Sequence, residues 1–217
     1  MSHGEHQDAA SGDTDMFEQP AWDERYAGEG QMWSGQPNPQ LVTEVSALTP
    51  GTALDVGCGE GADVIWLAQQ GWRTTGADFS PAGLARAARH AEQAGVAERT
   101  QWWQVDARTF DADGRTWDLV TTHFLHPPAG GMVEVTRRLC SAVAPGGHLL
   151  VVGHAPSDRL MHGDPEKQRA LFVAEDLRPG LTPDFEALVV EQRPRTVTRE
   201  GETFEIEDST LLARRRA

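Results

Sequence analysis

The chain has 217 residues, and 39% of them are hydrophobic, which suits one domain with a single sizeable core. Acidic residues outnumber basic residues by 33 to 19, so the net charge of −14 would repel the phosphate backbone of a nucleic acid. No apolar run approaches the roughly 20 residues of a membrane span, and two cysteines are too few for a disulfide framework. We therefore expect a cytoplasmic protein that binds neither nucleic acid nor a membrane, while its oligomeric state stays open.

The N-terminal part of the chain changes character near residue 16. Residues 1–15 are polar and acidic and lack the basic start and apolar stretch of a signal peptide. We predict a disordered tail over residues 1–15, followed by one domain over residues 16–217. Aromatic residues then recur at positions 22, 26 and 33, and they indicate a short helix and a loop before the break at residues 37–39.

Between residues 52 and 154, short apolar runs alternate with segments of helical period, a pattern typical of parallel strands joined by crossover helices. The predicted strands cover residues 52–56, 73–79, 101–106, 117–125 and 148–154. Of the helices between them, the first stops at Gly71, the second begins at Ser80 and Pro81 and ends at Gly95, and the third covers residues 131–144.

The last 30 residues form two β-rich runs about a turn at Glu200 and Gly201, which predicts an antiparallel pair at the edge of the sheet. The expected fold class is therefore α/β, with a doubly wound, mostly parallel seven-stranded sheet and an antiparallel C-terminal edge.

The most informative motif is LDVGCGEG (54–61), in which the acid Asp55 lies in a strand and Gly57, Gly59 and Gly61 follow at the turn into a helix. Glycines at such a turn let a ligand approach the backbone, and the helix N-terminus offers free N–H groups. A tight strand–helix turn without a ligand is the alternative. A dinucleotide cradle is disfavoured, because its third glycine comes one residue later.

Acids also close the next two strands. Asp78 lies 21 residues after Gly57, where a carboxylate can accept both hydroxyls of a ribose, although an acid at the start of a helix near Ser80 would look the same. Asp106, followed by Ala107, can accept from the exocyclic amine of an adenine. Because the carboxyl ends of parallel strands meet at one edge, these features converge on one crevice.

In this order, the motifs resemble those of the class I S-adenosylmethionine-dependent methyltransferases, over residues 20–217. LDVGCGEG is similar to their first motif, and the later matches are GADFSP, QVDA, WDLVTTHFLH and APGGHLLVV. The segment WDERYAGEGQMWSGQPN resembles the tellurite-resistance and thiopurine methyltransferase branch, in which such a segment folds over the cofactor. The resemblance implies a Rossmann-like methyltransferase fold, with S-adenosyl-L-methionine as cofactor and S-adenosyl-L-homocysteine as product.

The resemblance also implies where the cofactor lies. Its amino-acid end would face Asp55, Gly57 and Gly59, its ribose Asp78 and Phe79, and its adenine Asp106 and Ala107. Residues 20–39 would form a lid in which Trp22, Tyr26 and Trp33 cover the cofactor, and His123 matches a position near the methyl group. Ordinary packing is the alternative role for the two tryptophans.

Three histidines follow the fourth and fifth strands and are expected at this same edge. His123 and His126 are candidate catalytic residues, and the substrate pocket is expected to include Trp33, His126 and His154. A neutral imidazole can act as general base for an O–H or N–H nucleophile, whereas alignment alone suffices for a thiol. The alternative is that the histidines are polar pocket walls. No third ligand at a recognisable spacing accompanies them, so no metal site is predicted.

These features predict an enzyme that transfers a methyl group to a small-molecule nucleophile, with a sulfur-like acceptor favoured over nitrogen or oxygen. Two alternatives stay open: methylation of a protein or peptide, and a non-catalytic module that binds the cofactor, because fold does not determine function.

Overall fold

A seven-stranded sheet organises the protein in this computed structural model, which describes residues 17–28, 32, 34–128, 130–158, 165–199 and 201–217. The strands are β1 (Thr52–Val56), β2 (Arg73–Asp78), β3 (Thr100–Gln104), β4 (Trp117–His123), β5 (Val143–His154), β6 (Phe185–Arg199) and β7 (Glu202–Arg215). Their spatial order is β3-β2-β1-β4-β5-β7-β6. The first five strands are parallel, and β7 pairs antiparallel with both β5 and β6. The predicted fold class is confirmed, including its antiparallel edge.

Six α-helices are present in the described residues: α1 (Gln19–Ala27), α2 (Pro39–Val45), α3 (Ala62–Gln69), α4 (Pro81–Gln93), α5 (Gly131–Cys140) and α6 (Pro165–Ala170). The N-cap predicted at Ser80 is present, since its hydroxyl accepts a hydrogen bond from the Gly83 amide at 3.0 Å. None of the helices among these described residues is long and apolar enough to cross a membrane.

Most buried apolar residues enter two main cores, one on each face of the sheet, because successive side chains of a strand point to opposite faces. Along β5, Leu149 and Val151 pack in the same core as Leu139 of α5. Leu150 and Val152 pack in the other core with Leu41 of α2. Helices therefore cover both faces, and functional groups remain available at the carboxyl ends of the strands.

The prediction for residues 131–144 was wrong at its C-terminal end. The helix ends at Cys140, and β5 begins at Val143, before the Pro145-Gly146-Gly147 run that was expected to close the helix. The Trp117 amide already bonds to the carbonyl of Ala142 at 2.8 Å, so pairing with β4 starts upstream of the proline. The register then shifts between Trp117 and Leu119, which makes the run an irregularity within a strand.

The expected break at residues 37–39 is instead the start of α2. The side chain of Asn38 accepts hydrogen bonds from the amides of Gln40 and Leu41, at 2.8 and 3.4 Å, and Pro39 occupies the first turn. The predicted tail over residues 1–15, and the placement of Trp33, lie outside the described residues.

Candidate active site at the carboxyl edge of the sheet

The glycine turn after β1 has the backbone geometry that only glycine adopts readily. Gly57, Gly59 and Gly61 have φ angles of 80°, 51° and 84°. A Cβ atom at Gly61 would lie 2.9 Å from that of Ala87, so the turn also needs the small residue for packing. The turn leads directly into the N-terminus of α3 and places backbone at the edge of the sheet, as the motif predicts.

Asp78 fixes this turn to the end of β2. Its Oδ2 accepts a hydrogen bond from the Gly59 amide at 2.9 Å, and its Oδ1 accepts one from the Ser80 amide at 2.8 Å. Burial raises the pKa of Asp78 above its usual value, and these amides oppose that shift. Each carboxylate oxygen can accept a further bond, so the residue can hold the turn and still receive hydroxyl donors. Phe79, which is half-buried, follows it directly.

A group of the buried Asp55 and His123 and the partly buried Asp63 lies at the ends of β1 and β4 and the start of α3. Nδ1 of His123 lies 2.9 Å from Oδ2 of Asp63 and 3.5 Å from Oδ1 of Asp55. Oδ1 of Asp55 also accepts a hydrogen bond from the Thr121 hydroxyl at 2.8 Å. Burial would lower the pKa of His123, but the two carboxylates raise it above its usual value. Burial also raises the pKa of Asp55.

The sequence predicted Asp55 and His123 at this edge but missed Asp63. An acid in the first turn of a helix is ordinary, so its position gave no signal. The ligand atoms of the three residues lie within 4.8 Å of one another. The fold therefore brings Asp63 next to Asp55 and His123, a contact that the spacing in the sequence did not reveal. The group is acidic and lies beside the glycine turn, which suits a cationic ammonium group.

Asp106 lies beyond the end of β3 and not within it, because the strand stops at Gln104. The carboxylate caps a 3-10 turn (Ala107–Thr109) by accepting from the Arg108 amide, and it also pairs with the Arg108 guanidinium at 2.8 Å. Partial burial acts to raise the pKa of Asp106, but the hydrogen bonds from Arg108 outweigh this effect. The pKa of Asp106 therefore lies below its usual value. Ala107 is buried, with its side chain in the core.

The N-terminal segment packs over this edge. Tyr26 is buried, and its ring lies 3.1 Å from the place of a Cβ atom at Gly83, at the start of α4. The half-buried Trp22 lies 5.7 Å from Tyr26 between ring centroids. Asp23 accepts a hydrogen bond from the Ser80 hydroxyl at 2.5 Å, so α1 touches the residues next to Asp78.

Side chains of the glycine turn and of α3 contact the residues of the N-terminal segment that follow α1. Glu60 pairs with Arg86 at 2.7 Å and accepts from the Met32 amide at 3.1 Å, and Arg86 also donates to the carbonyl of Gly28. Asp63 accepts from the Asn38 amide at 2.6 Å. These contacts tie the expected lid to the glycine turn, to α3 and to α4.

His126 and His154 lie together at the ends of β4 and β5. Their rings stack with centroids 5.3 Å apart. Nε2 of His126 accepts from the His154 amide at 3.4 Å, and Nδ1 lies 3.3 Å from the carbonyl of Ala170, to which it can donate. Both nitrogens of His126 therefore face backbone groups, and burial lowers its pKa to about 4.

Comparison with known proteins identifies the family. A family described as "Methyltransferase domain" matches residues 53–147. Phosphatidylethanolamine N-methyltransferase from Cereibacter sphaeroides is 30% identical over 139 residues, which cover 64% of this chain and 68% of that protein. The chain belongs to the class I S-adenosylmethionine-dependent methyltransferases. The cofactor predicted by resemblance, S-adenosyl-L-methionine, is thereby confirmed.

Other curated relatives match this chain over shorter spans. Ubiquinone biosynthesis O-methyltransferase from Methylobacterium sp. (strain 4-46) is 35% identical over 96 residues, or 44% of this chain and 38% of that protein. Against it and two further relatives, the chain spans between 33% and 54% of their lengths.

Solved structures share the fold of this chain. One, described as "Conversion of a Disulfide Bond into a Thioacetal Group during Echinomycin Biosynthesis", has a TM-score of 0.73 and 22% identity over 94% of this chain and 91% of that one. The N-methyltransferase NodS from Bradyrhizobium japonicum, in complex with S-adenosyl-L-homocysteine, has a TM-score of 0.66 and 20% identity, covering 92% and 98%. TehB from Haemophilus influenzae has a TM-score of 0.65 and 17% identity, covering 91% and 67%.

Proposed function

We propose that the protein transfers the methyl group of S-adenosylmethionine to a small-molecule nucleophile, and that the acceptor atom is sulfur or similarly soft. The observation that carries this proposal is Asp78, which anchors the glycine turn through the Gly59 amide at 2.9 Å and lies where a ribose is expected. The likeness in fold to a protein described as converting a disulfide bond into a thioacetal group supports the choice of sulfur. Nitrogen and oxygen acceptors are the alternatives.

In this proposal the cofactor lies along the carboxyl edge of the sheet. Asp78 and Phe79 bind its ribose, Asp106 and Ala107 lie at its adenine, and Asp55, Gly57 and Gly59 lie at its amino-acid end. The acidic group of Asp55, Asp63 and His123 attracts its ammonium group. Residues 20–39 act as a lid, in which Trp22, Tyr26 and Trp33 exclude water.

The cofactor brings an already activated methyl group, so the protein mainly has to align the acceptor and exclude water. Aromatic residues of the lid can do both, and their faces attract a cationic sulfonium. His123 and His126 then form pocket walls. Both ring nitrogens of His123 are buried, and those of His126 face backbone groups, so neither ring is placed to take a proton from an acceptor.

The net charge of the protein and the proposed lid both indicate the class of methyl acceptor. The net charge of −14 disfavours nucleic acid as substrate, and a lid favours a small molecule over a protein. A cytoplasmic location is part of this proposal, and both cysteines are free and buried, in keeping with a reducing compartment.

The test is the formation of S-adenosylhomocysteine with a panel of thiols, phenols and amines. We expect turnover with thiols, and less than a tenfold loss on a thiol in His123→Ala. Asp78→Ala, in which the cofactor site is damaged, serves as the negative control. Tight cofactor binding without turnover on any acceptor would favour the non-catalytic module, and turnover only with peptides would favour a protein methyltransferase.

A further inference from the structure

Planar side chains form a stack where β4 and β5 end. The ring of His154 stacks with Phe124, at 4.5 Å between centroids, and with His126, at 5.3 Å. Phe172 lies 5.8 Å from His126, and the guanidinium of Arg195 lies 5.2 Å from the ring of Phe124. The imidazole of His154 is therefore held in one plane by its neighbours.

Phe124 has an unusual backbone that serves this arrangement. Its φ angle is 53°, in the left-handed region that a bulky residue rarely adopts. Its amide donates to the carbonyl of Val152 at 2.8 Å, which fixes the turn of the chain after β4. Val152 pairs with His123, so His154 lies only two residues beyond the level of the candidate cofactor site. Such strained residues cluster at functional sites.

A buried carboxylate faces one nitrogen of His154. Oδ2 of Asp158 lies 2.9 Å from Nδ1 of His154, and the Asp158 side chain is 1% exposed. A turn in which the Asp158 amide donates to the carbonyl of Ala155 at 2.9 Å brings this side chain back to the ring. The carboxylate therefore favours the tautomer with the proton on Nδ1.

The other nitrogen of His154 is available. The side chain is 20% exposed, whereas Nδ1 is buried. Within the described part of the chain, no residue bonds to Nε2. A lone pair on Nε2 therefore faces out at the same edge as the glycine turn, in contrast to His123 and His126.

We propose that His154 is the general base of the methyl transfer and that Asp158 is its positioning residue. Nε2 takes the proton of the acceptor's S–H group as the nucleophile bonds to the methyl carbon. The methyl carbon–sulfur bond of the sulfonium breaks, and its electron pair stays on sulfur to give the neutral thioether. The imidazolium that forms is stabilised by the carboxylate of Asp158. This inference rests on the proposed function and adds its proton acceptor.

The charged groups around His154 agree with this role. Burial, which is the largest influence, and the positive charge of Arg195 lower the pKa of His154, while the carboxylates of Asp158 and Asp208 raise it. Arg195 is itself paired with Asp208 at 2.8 Å. The net shift is below the usual value, so the ring is neutral near neutral pH and can accept a proton. The ring of His126 is also neutral there, because burial lowers its pKa to about 4.

The test compares two thiols of different acidity, 4-nitrothiophenol, which is ionised near neutral pH, and benzyl mercaptan, which is protonated. The proteins are the parent, His154→Gln, Asp158→Asn and the control His148→Gln, which changes a histidine in the middle of β5. Turnover is measured as a function of pH, with thermal unfolding and S-adenosylhomocysteine binding as checks of folding.

We expect His154→Gln to lower kcat on benzyl mercaptan by about 10²–10⁴-fold and kcat on 4-nitrothiophenol by less than about tenfold. The rate of the parent on benzyl mercaptan should rise with pH through the titration of His154. In Asp158→Asn the midpoint should move to lower pH, because the imidazolium loses its carboxylate. His148→Gln should behave as the parent.

Three results would overturn the assignment. An equal loss on both thiols would mean that His154 is only structural, and no loss on either would mean that it takes no proton. An unchanged pH midpoint in Asp158→Asn would remove Asp158 from the role, even if His154→Gln failed to fold. Failure of the parent to turn over the ionised thiol would instead contradict the sulfur acceptor of the proposed function, and with it the base.

Discussion

Protonation of His126 should destabilise the folded protein, because the ring is buried and both of its nitrogens face backbone groups. The His154 amide donates to Nε2 at 3.4 Å, and this bond is lost when Nε2 gains a proton. Burial, together with the positive charge that His154 can carry, lowers the pKa of His126 to about 4. A histidine in an unfolded chain titrates near about 6.5.

The magnitude follows from this difference in pKa. A shift from 6.5 to about 4 corresponds to about 3 kcal/mol at about 1.4 kcal/mol per pKa unit. Between these two pH values the unfolded chain binds a proton that the folded protein lacks, so the free energy of unfolding falls as the pH falls. Above about pH 6.5 the titration of His126 does not reduce the free energy of unfolding. Below about pH 4 the reduction is complete.

Urea unfolding of the parent and of His126→Gln, followed by tryptophan fluorescence over this pH range, tests the argument. Glutamine does not titrate but keeps one donor and one acceptor. Between about pH 7 and about pH 4.5, the parent should lose about 2–3 kcal/mol more stability than the variant. His148→Gln removes a half-buried histidine in the middle of β5 and should give a smaller difference. Parallel curves for the parent and His126→Gln would refute the reasoning.

Three further results are expected. Asp78→Ala should weaken binding of S-adenosylhomocysteine by about 1.5–3 kcal/mol in calorimetric titration. Asp111→Ala, which changes an exposed residue, should leave the affinity unchanged. Unchanged affinity in a folded Asp78→Ala protein would remove Asp78 from the site. S-Adenosylhomocysteine should slow amide hydrogen exchange in residues 17–28 more than in β6 and β7, and equal slowing in both regions would argue against a lid. Gly180→Ala should cost about 1–3 kcal/mol of stability, because its Cβ would lie 2.5 Å from the carbonyl oxygen of Val133. Gly28→Ala is the matched control, because its Cβ would lie 3.4 Å from the nearest atom. Equal melting temperatures of the two variants would contradict the packing argument.

Local patterns in the sequence were enough to predict the fold and to place the glycine turn and Asp78 at the carboxyl edge of the sheet. The glycine turn and Asp78 belong to one βαβ unit formed by β1, α3 and β2, in which residue type and spacing fix the backbone. The parallel order of the strands then brings their carboxyl ends to one edge. One exception was the run at 145–147, because proline and glycine are typical both of a helix end and of an irregular strand.

The tertiary structure decided which polar side chains act together. Asp63 meets His123 across 60 positions of the chain, at 2.9 Å, and nothing in either local pattern indicates that contact. His126 and His154 look alike in the sequence, since both follow a strand. The fold directs both nitrogens of His126 to backbone groups. It places Asp158 against one nitrogen of His154 and, among the residues that the structure describes, gives the other nitrogen no hydrogen-bond partner. Residue type and spacing thus determine where a histidine lies along the sheet edge, whereas burial and the neighbours packed around it determine which of its nitrogens can exchange a proton.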